Sequence, residues 1–537
     1  MNIQSNKNHE YEQEPPGKFW KQFRSKRRNI IPSAVRDFST YKFQCASLLK
    51  FESHNKWLLY IAIFFFVNIL LSSYFIDIWP TPNCVSRALP ILAFSENRTL
   101  KIDKYAYLTI DKSRVGEHFY SDKAPLPTLG MIPIYEIIKW FGLDKVSADT
   151  GRKYPVYIQY HIGINDSRAR TIPDLIPIFI AGGFFFGSLP FSLMVMMSFA
   201  ALHKMKPSIS PVIMAMLAWY GSFIFVFSGT FFNHVFAGFL LLLSFVLLRK
   251  NHHFLSGLFL GLSFLSEYTL ILAAPFWFVC TWMKEKKIRQ ALIFFAGILP
   301  STLFIAMYNW LITGSPWKML NAFHATEAFQ ALKHHYGFSM PSLKSLWGLS
   351  FSGWMGLFNF APVLYCIAFF IIFALIKHKK LIAPPETHCL AIFGLIFFLT
   401  ISSFFTWWGG WSYGPRYLLA LAVLLIYEGM LIISREKINT LLFTATTLFG
   451  IAGAWIAKAT TVYMVPFPAY EGFFNPFLHI LLPDLFAGRF NANNALTAFF
   501  DISPQTGAYC WLLLFATSVT GLGLLYKKWF IQSSLMR

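Results

Sequence analysis

The chain has 537 residues, 55% of them hydrophobic and 19% aromatic, and only 13% are charged, roughly half the charged share of an average soluble domain. That composition excludes an ordinary soluble enzyme, and the lack of short alternating segments excludes an outer-membrane barrel. A formal net charge of +21 does not point to nucleic acid, because the basic residues punctuate the ends of apolar runs, a topology signal, rather than gather in one domain. Some of them can also hold anionic lipid heads.

Residues 1–56 carry eleven Lys/Arg against five acids, with a cluster at Lys26, Arg27 and Arg28 and a Pro15-Pro16 pair. This segment reads as a basic, surface-lying or disordered tail with no signal peptide, cytoplasmic by the positive-inside rule. The first apolar run, 57–78, follows as an uncleaved anchor. Further runs lie at 174–202, 210–228, 231–248, 254–266, 268–283, 291–312, 354–376, 387–406, 418–434, 440–460 and 508–526. Most are long enough to cross a bilayer, and only helices satisfy their own backbone there. The basic punctuation falls at Lys204/Lys206, Arg249-Lys250, Lys284 to Arg289, Lys377 to Lys380, Arg435/Lys437 and Lys527-Lys528.

Taking these six groups as cytoplasmic gives about twelve crossings with both termini inside. The expected fold is an all-α polytopic protein of the plasma (inner) membrane: a tail, 1–56, and a transmembrane domain, 57–530. The pair 254–283 must then be a hairpin of two short helices. The run 125–143, broken by three prolines and carrying Glu136 and Lys139, reads as a juxtamembrane or re-entrant helix. The outer face carries a long first loop, 79–173, and shorter ones near 313–353, 407–417 and 461–507. The six cysteines are scattered and only Cys84 lies in a loop, so no disulfide framework is expected.

The long loop holds Arg87, Asp103, Asp111, Asp122 and Lys123 among aromatics. A carboxylate beside an ammonium at a membrane boundary can supply a base and an anion-binding group together. The competing reading of the segment Tyr120 to Pro125 is a helix entry, with Ser121 or Asp122 as N-cap and proline in the first turn.

In order along the chain, SRAL, NRTLKID, TIDK, GEHFYSDKAPLPTL, YNWLITGSP and WWGGWSYGPRYLL resemble bacterial membrane glycosyltransferases of the GT-C superfamily. The likeness is strongest to the group of protein O-mannosyltransferases and aminoarabinose–lipid A transferases, and YSDKAPL is similar to that group's YFEKPP-like segment. The resemblance implies a GT-C-like fold, a polyprenyl-phosphate-linked sugar as donor, and inversion at the anomeric carbon. A lipid, glycan or protein on the extracytoplasmic face would be the acceptor. It implies Asp122, Asp111 or Asp77 as base, with Lys123, Arg87 and Arg416 holding the donor phosphate. The chain departs from the pattern after the first helix, where WPTPNCVSR places Asn83 and Cys84 about where the group has an acid. The base is therefore open between Asp111, Asp122 and Asp77.

Arg416 lies at an outer helix mouth between glycines and Trp407, Trp408 and Trp411, positioned either for interfacial anchoring or for gripping a phosphate while a tryptophan stacks on sugar or prenyl chain. His324, Glu327, Lys333, His334 and His335 occupy a later loop without a clear metal spacing; a divalent metal is possible but not indicated, so no metal ligand and no cofactor is assigned. Glu267 is an intramembrane carboxylate and hence a functional candidate, while Asn233 and His234 read as helix-end structural residues. The alternative function class is a transporter or lipid flippase, which would show midplane ionisable residues and repeated halves. Neither is visible. An assembly protein without catalysis would leave Asp111, Asp122, Lys123 and Arg416 apart in space.

Overall fold

The structure is a computed structural model and describes residues 55–75, 77–78, 81–145, 174–326, 329, 335–378, 383–410, 412–435, 438–460 and 475–532. The basic tail through residue 54, the end of the first outer loop, Glu327, Lys333, His334 and Trp411 lie outside them. The chain divides into two compact units, 1–63 and 64–537; the described residues of the first, 55–63, are helical.

The described chain is almost wholly helical and forms a multi-pass membrane protein. Among the described residues, seven helices are long and apolar enough to cross a membrane: α1 (Asn55–Ser73), α4 (Leu175–Met205), α10 (Ile288–Thr313), α12 (Pro385–Ser402), a segment from Arg416 to Ile433 containing α13 (Leu419–Ile433), α14 (Thr440–Ala459) and the segment Pro504–Gln532, which opens with α15 (Pro504–Tyr526). An eighth crossing forms if α5 (Pro211–Tyr220) and α6 (Phe223–Gly229), bent by 65°, count as one broken span. The remaining runs are helical but short: α7 (Asn233–Arg249), α8 (His253–Ser266), α9 (Ala273–Glu285) and α11 (Val363–His378). Every run read from the sequence is thus a helix, and a count of twelve full crossings requires the short ones to span.

Two further helices belong to the first outer loop. α2 (Pro82–Asn97) starts with proline at its first position, and Thr81 caps it by accepting from the Cys84 amide at 3.2 Å. α3 (Pro125–Trp140) is the proline-broken run; its outer turns leave Ile137 and Trp140 exposed, while Pro125, Thr128, Met131 and Tyr135 are buried. Between them a hairpin pairs β1 (Ser113–Val115) with β2 (His118–Tyr120) about Gly116, whose φ of +60° suits the turn.

At the end of the bundle opposite the outer loop, two basic groups read as topology markers meet. Lys284 donates to the Arg249 carbonyl at 3.2 Å and to Glu386 at 2.6 Å, and Arg249 donates to Glu428 at 2.5 Å. These contacts join α7, α9, α12 and α13.

Candidate active site

The hairpin assembles the charged cluster. Its register pairs Ser113 with Tyr120, Arg114 with Phe119 and Val115 with His118. Carried two residues outward, that register sets Asp111 opposite Asp122. Both carboxylates then converge on one ammonium: Lys123 Nζ lies 2.7 Å from Asp111 Oδ2 and 2.8 Å from Asp122 Oδ2. The competing reading holds in part: the segment does enter a helix with Pro125 in its first turn, but neither Ser121 nor Asp122 is its N-cap. Ala124 occupies the N-cap of α3 and contributes no side-chain cap, leaving Ser121 and Asp122 to other partners.

Those partners come from α2 and from the loop after α10. Ser86 donates to Asp122 Oδ1 at 3.0 Å and shares a hydrogen bond of 2.9 Å with Ser121. A second antiparallel bridge sets His324 against Ser113, locked by the Ala325 amide donating to the Lys112 carbonyl at 2.9 Å and Thr326 Oγ1 to the Ile110 carbonyl at 2.7 Å. His324 Nε2 thereby comes to 3.7 Å from Asp122 Oδ2. The sequence placed His324 in a loop of possible ligands; its bridge to Ser113 is a long-range pairing with no local signal.

Asp111, Asp122 and His324 are all buried, so desolvation governs the electrostatics. Burial opposes the Asp122 charge, but Lys123 and His324, with hydrogen bonds from Lys123 and Ser86, outweigh it and hold the carboxyl below its ordinary value. Burial likewise opposes the Lys123 charge, and Asp111 and Asp122 outweigh it, raising the ammonium above its ordinary value. Burial keeps His324 below the ordinary histidine value despite the two carboxylates. The group is an acid–ammonium–acid triad with an imidazole beside it. Asp122 engages both its oxygens. Asp111 engages only Oδ2 in a side-chain contact among the described residues, leaving Oδ1 as a free acceptor.

The sequence candidates for phosphate binding separate into three environments. The Lys123 ammonium is neutralised by two carboxylates. Arg87 is buried and held by neutral groups: it donates to Asn83 Oδ1 at 3.2 Å, the Ala124 carbonyl at 3.3 Å and Asn233 Oδ1 at 2.7 Å. Arg416 differs from both. Its guanidinium lies over the rings of Phe232, 5.3 Å to the centroid, and Tyr417, 5.4 Å, and its buried Nε has no hydrogen-bond partner among the described residues. Gly409 makes room for it with a φ of +78°, where an added Cβ would approach Arg416 Cγ to 3.0 Å. Phe232 adjoins Asn233, so Arg416 and Arg87 flank the same turn at the start of α7.

The other ionisable candidates lie around this turn. His234 and Glu267 pair at 2.9 Å, and Asn233 Nδ2 donates to the Ser266 carbonyl at 2.6 Å. This network holds the α8 terminus against α7, which gives Glu267 a structural partner. Asp77 is buried at the end of the first span, its amide donating to the Gly229 carbonyl at 3.1 Å, and the structure does not bring it into the Lys123 triad. Trp354 packs against Trp407 at 5.6 Å and Trp408 at 6.4 Å, so the tryptophans near Arg416 form an aromatic wall. Among the described residues no group of three His, Cys, Asp or Glu is placed to hold a metal ion.

No family model matches this sequence, and no curated protein matches it. Among solved structures the chain is similar to ArnT from Cupriavidus metallidurans bound to undecaprenyl phosphate, at 12% identity and a TM-score of 0.46, covering 88% of this chain and 77% of that one. It is also similar to the same protein in its apo state, at 12% identity and a TM-score of 0.41, covering 89% and 78%.

Proposed function

We propose that this chain is an inverting membrane glycosyltransferase that moves a sugar from a polyprenyl-phosphate donor to an acceptor on the extracytoplasmic face of the inner membrane, with both termini cytoplasmic and about twelve crossings. The observation that carries the reading is the Asp111–Lys123–Asp122 triad, a buried carboxylate pair bridged by one ammonium in the first outer loop. A bridged pair of this kind keeps one carboxylate ionised and aimed while the other fixes the ammonium.

In this reading Asp111 is the base, because its Oδ1 is available to take the proton of the acceptor hydroxyl or amine. The acceptor atom attacks the anomeric carbon, the bond from that carbon to the phosphate oxygen breaks, and the lipid phosphate leaves with the electron pair. Arg416 meets the developing charge on the phosphate, since its guanidinium has donors to give and a fork geometry suited to phosphate. Asp122 holds Lys123 in place, and Lys123 shields the departing oxygen. Arg87 acts as a positioning residue for the start of α7 and the entry to α3. Asp77 stays outside the proton transfer.

The test is transfer from labelled polyprenyl-phosphate sugars by the purified protein in lipid, supplied with membrane extract, beside Asp111→Asn and Asp122→Asn variants. Label passing to an acceptor in the wild type alone supports the reading. A well-folded sample that consumes no donor refutes it and favours transport.

A further inference from the structure

Two cysteines with no part in the reaction described above face each other between α9 and α12. Two contacts fix how these helices meet. Lys284 Nζ and Glu386 Oε1 pair at 2.6 Å, and deeper in the bundle the Trp277 and Phe393 rings lie 5.4 Å apart, centroid to centroid. The helices therefore run antiparallel. Cys280 is four residues from Lys284 and three from Trp277, while Cys389 is three from Glu386 and four from Phe393. Residues three and four apart share a helix face, so both thiols stand on the facing sides, one turn of about 5 Å in from the ion pair. A side-chain hydrogen bond joins them, and neither is in a disulfide.

Packed helix axes lie about 8–10 Å apart, and Cα atoms stand about 2.3 Å off each axis. Facing Cα atoms therefore come within about 3.5–5.5 Å, a range that overlaps the roughly 4.4–6.8 Å of a disulfide. Little movement is needed to join the two sulfurs. Access to them is one-sided. Cys280 is fully buried, whereas Cys389 is half-buried, on the edge of α12 that continues one and two turns on into the exposed side chains of Ile392 and Ile396. A reagent arriving from the lipid side meets the Cys389 sulfur first and finds the Cys280 thiol behind it.

We propose that Cys280 and Cys389 form a modification site, a dithiol that a peroxide oxidises reversibly to a disulfide between α9 and α12. The Cys389 sulfur attacks one peroxide oxygen, the O–O bond breaks, and the departing hydroxide takes the thiol proton and leaves as water, giving a sulfenic acid. The Cys280 sulfur then attacks the Cys389 sulfur, the S–O bond breaks, and the hydroxide leaves as water with the Cys280 proton. Two thiols and one hydrogen peroxide become one disulfide and two waters; the sulfurs lose two electrons and the peroxide oxygens gain them. A small thiol reverses the bond by exchange. The disulfide ties α9 to α12, which leads into the loop of Trp407, Trp408 and Arg416.

The inference stands apart from the transfer reading, so the experiment reads the thiols rather than activity. The full chain is purified in mild detergent, reduced, freed of reductant and treated with hydrogen peroxide. Remaining thiols are alkylated under denaturing conditions, and the peptides are mapped by mass spectrometry without reduction. The expected result is a cross-linked Cys280–Cys389 peptide that dithiothreitol removes. With dimedone present to trap sulfenic acids, Cys280→Ala should label Cys389 at least tenfold more than the wild type does, and Cys389→Ala should leave Cys280 alkylatable. An unchanged unfolding temperature checks that the variants fold, and the wild-type cross-link needs no variant at all. Both thiols still alkylatable in the wild type, at a peroxide dose that oxidises the half-buried Cys510 of α15, overturns the proposal. Dimedone on Cys280 in Cys389→Ala, or a cross-link from either cysteine to a different one, also overturns it.

Discussion

Arg87 donates to Asn233 Oδ1 at 2.7 Å, and this hydrogen bond ties the first helix of the outer loop to the start of α7. Asn233 in turn donates to the Ser266 carbonyl at the end of α8. One buried guanidinium therefore fixes three elements on which the candidate site is built. Arg87→Met leaves Asn83, Asn233 and the Ala124 carbonyl without their donor, at a cost of about 1–3 kcal/mol for each buried group left unsatisfied. The expected outcome is a lower unfolding temperature, with KM for the donor changed little in the protein that remains folded. A rise in KM with unchanged stability would instead return Arg87 to the phosphate.

Arg416 should behave in the opposite way. Its guanidinium has ring faces as neighbours rather than hydrogen-bond acceptors, so removing it orphans no protein group. Arg416→Gln is expected to leave stability unchanged and to lower kcat/KM by roughly 10- to 150-fold, the worth of charge-assisted hydrogen bonds at about 1.5–3 kcal/mol. Arg416→Lys keeps the charge but loses the fork, and should recover only part of the rate. Gly409→Ala offers an independent check, because a Cβ at a φ of +78° presses on the Arg416 side chain and should reproduce part of the loss.

Each member of the triad is tested by its own substitution. Asp111→Asn removes the proposed base and should lower kcat by about 10² to 10⁴-fold with little change in KM. Asp122→Asn keeps the hydrogen bond from Ser86 but loses half of the charge that holds Lys123, so transfer is expected to be abolished here too. Lys123→Ala leaves two buried carboxylates facing each other. It should abolish transfer and raise the pH at which the protein denatures in acid. Insertion into the membrane is expected to be intact in all three, as judged by yield in the membrane fraction. Normal transfer by Asp122→Asn and Lys123→Ala together would remove the site.

Why these residues could be found at all is a matter of range. Apolar runs and basic punctuation are local features, and every run the sequence marked is a helix. The Asp122-Lys123 pair was visible because its members are adjacent. Asp111 joins them through a hairpin whose turn, Val115-Gly116-Glu117-His118, carries a readable glycine, and the register follows from it. His324, Asn233 and Ser86 reach the site only through tertiary pairing, His324 from as far along the chain as its bridge partner Ser113 requires, and no periodicity encodes that. The full-crossing count is not written in composition for the same reason: α7, α8, α9 and α11 are apolar but short, and their depth depends on packing and bilayer thickness.

The pH dependence of stability follows from the shifts in the triad. Asp122 is held below its ordinary value, so its contribution is present above about pH 3.9 and is lost as pH falls through the lower folded value. Lys123 is held above its ordinary value, so its contribution is complete below about pH 10.4 and is lost as pH rises through the higher folded value. The pair is therefore intact across the neutral range. His324 contributes to the slope there: its folded value is depressed by burial, the unfolded chain takes the proton first, and its share of the stability falls as pH drops below about 6.5. Thermal unfolding between pH 5 and 8 should show this slope in the wild type and a flatter one in His324→Asn. An equal slope in both would place the titrating group elsewhere.

The ion pairs at the opposite end of the bundle predict stability without a change in catalysis. Glu428 Oε1 accepts from Arg249 Nη2 at 2.5 Å and from Thr387 Oγ1 at 2.5 Å, and both Glu428 and Glu386 are buried. Removing one partner of a buried pair strands the other charge and costs about 3–5 kcal/mol, whereas replacing both with apolar residues of similar size is often neutral. Glu428→Gln should therefore lower the unfolding temperature sharply, and Arg249→Met combined with Glu428→Leu should restore most of it. Donor KM should be the same in all three proteins, because the clamp joins α7, α9, α12 and α13 at the end remote from the outer loop. If the double variant is as unstable as the single one, the pair is worth more than its apolar replacement. If donor KM shifts with stability restored, this end of the bundle is coupled to the site through α7, which carries Arg249 at one terminus and Asn233 at the other.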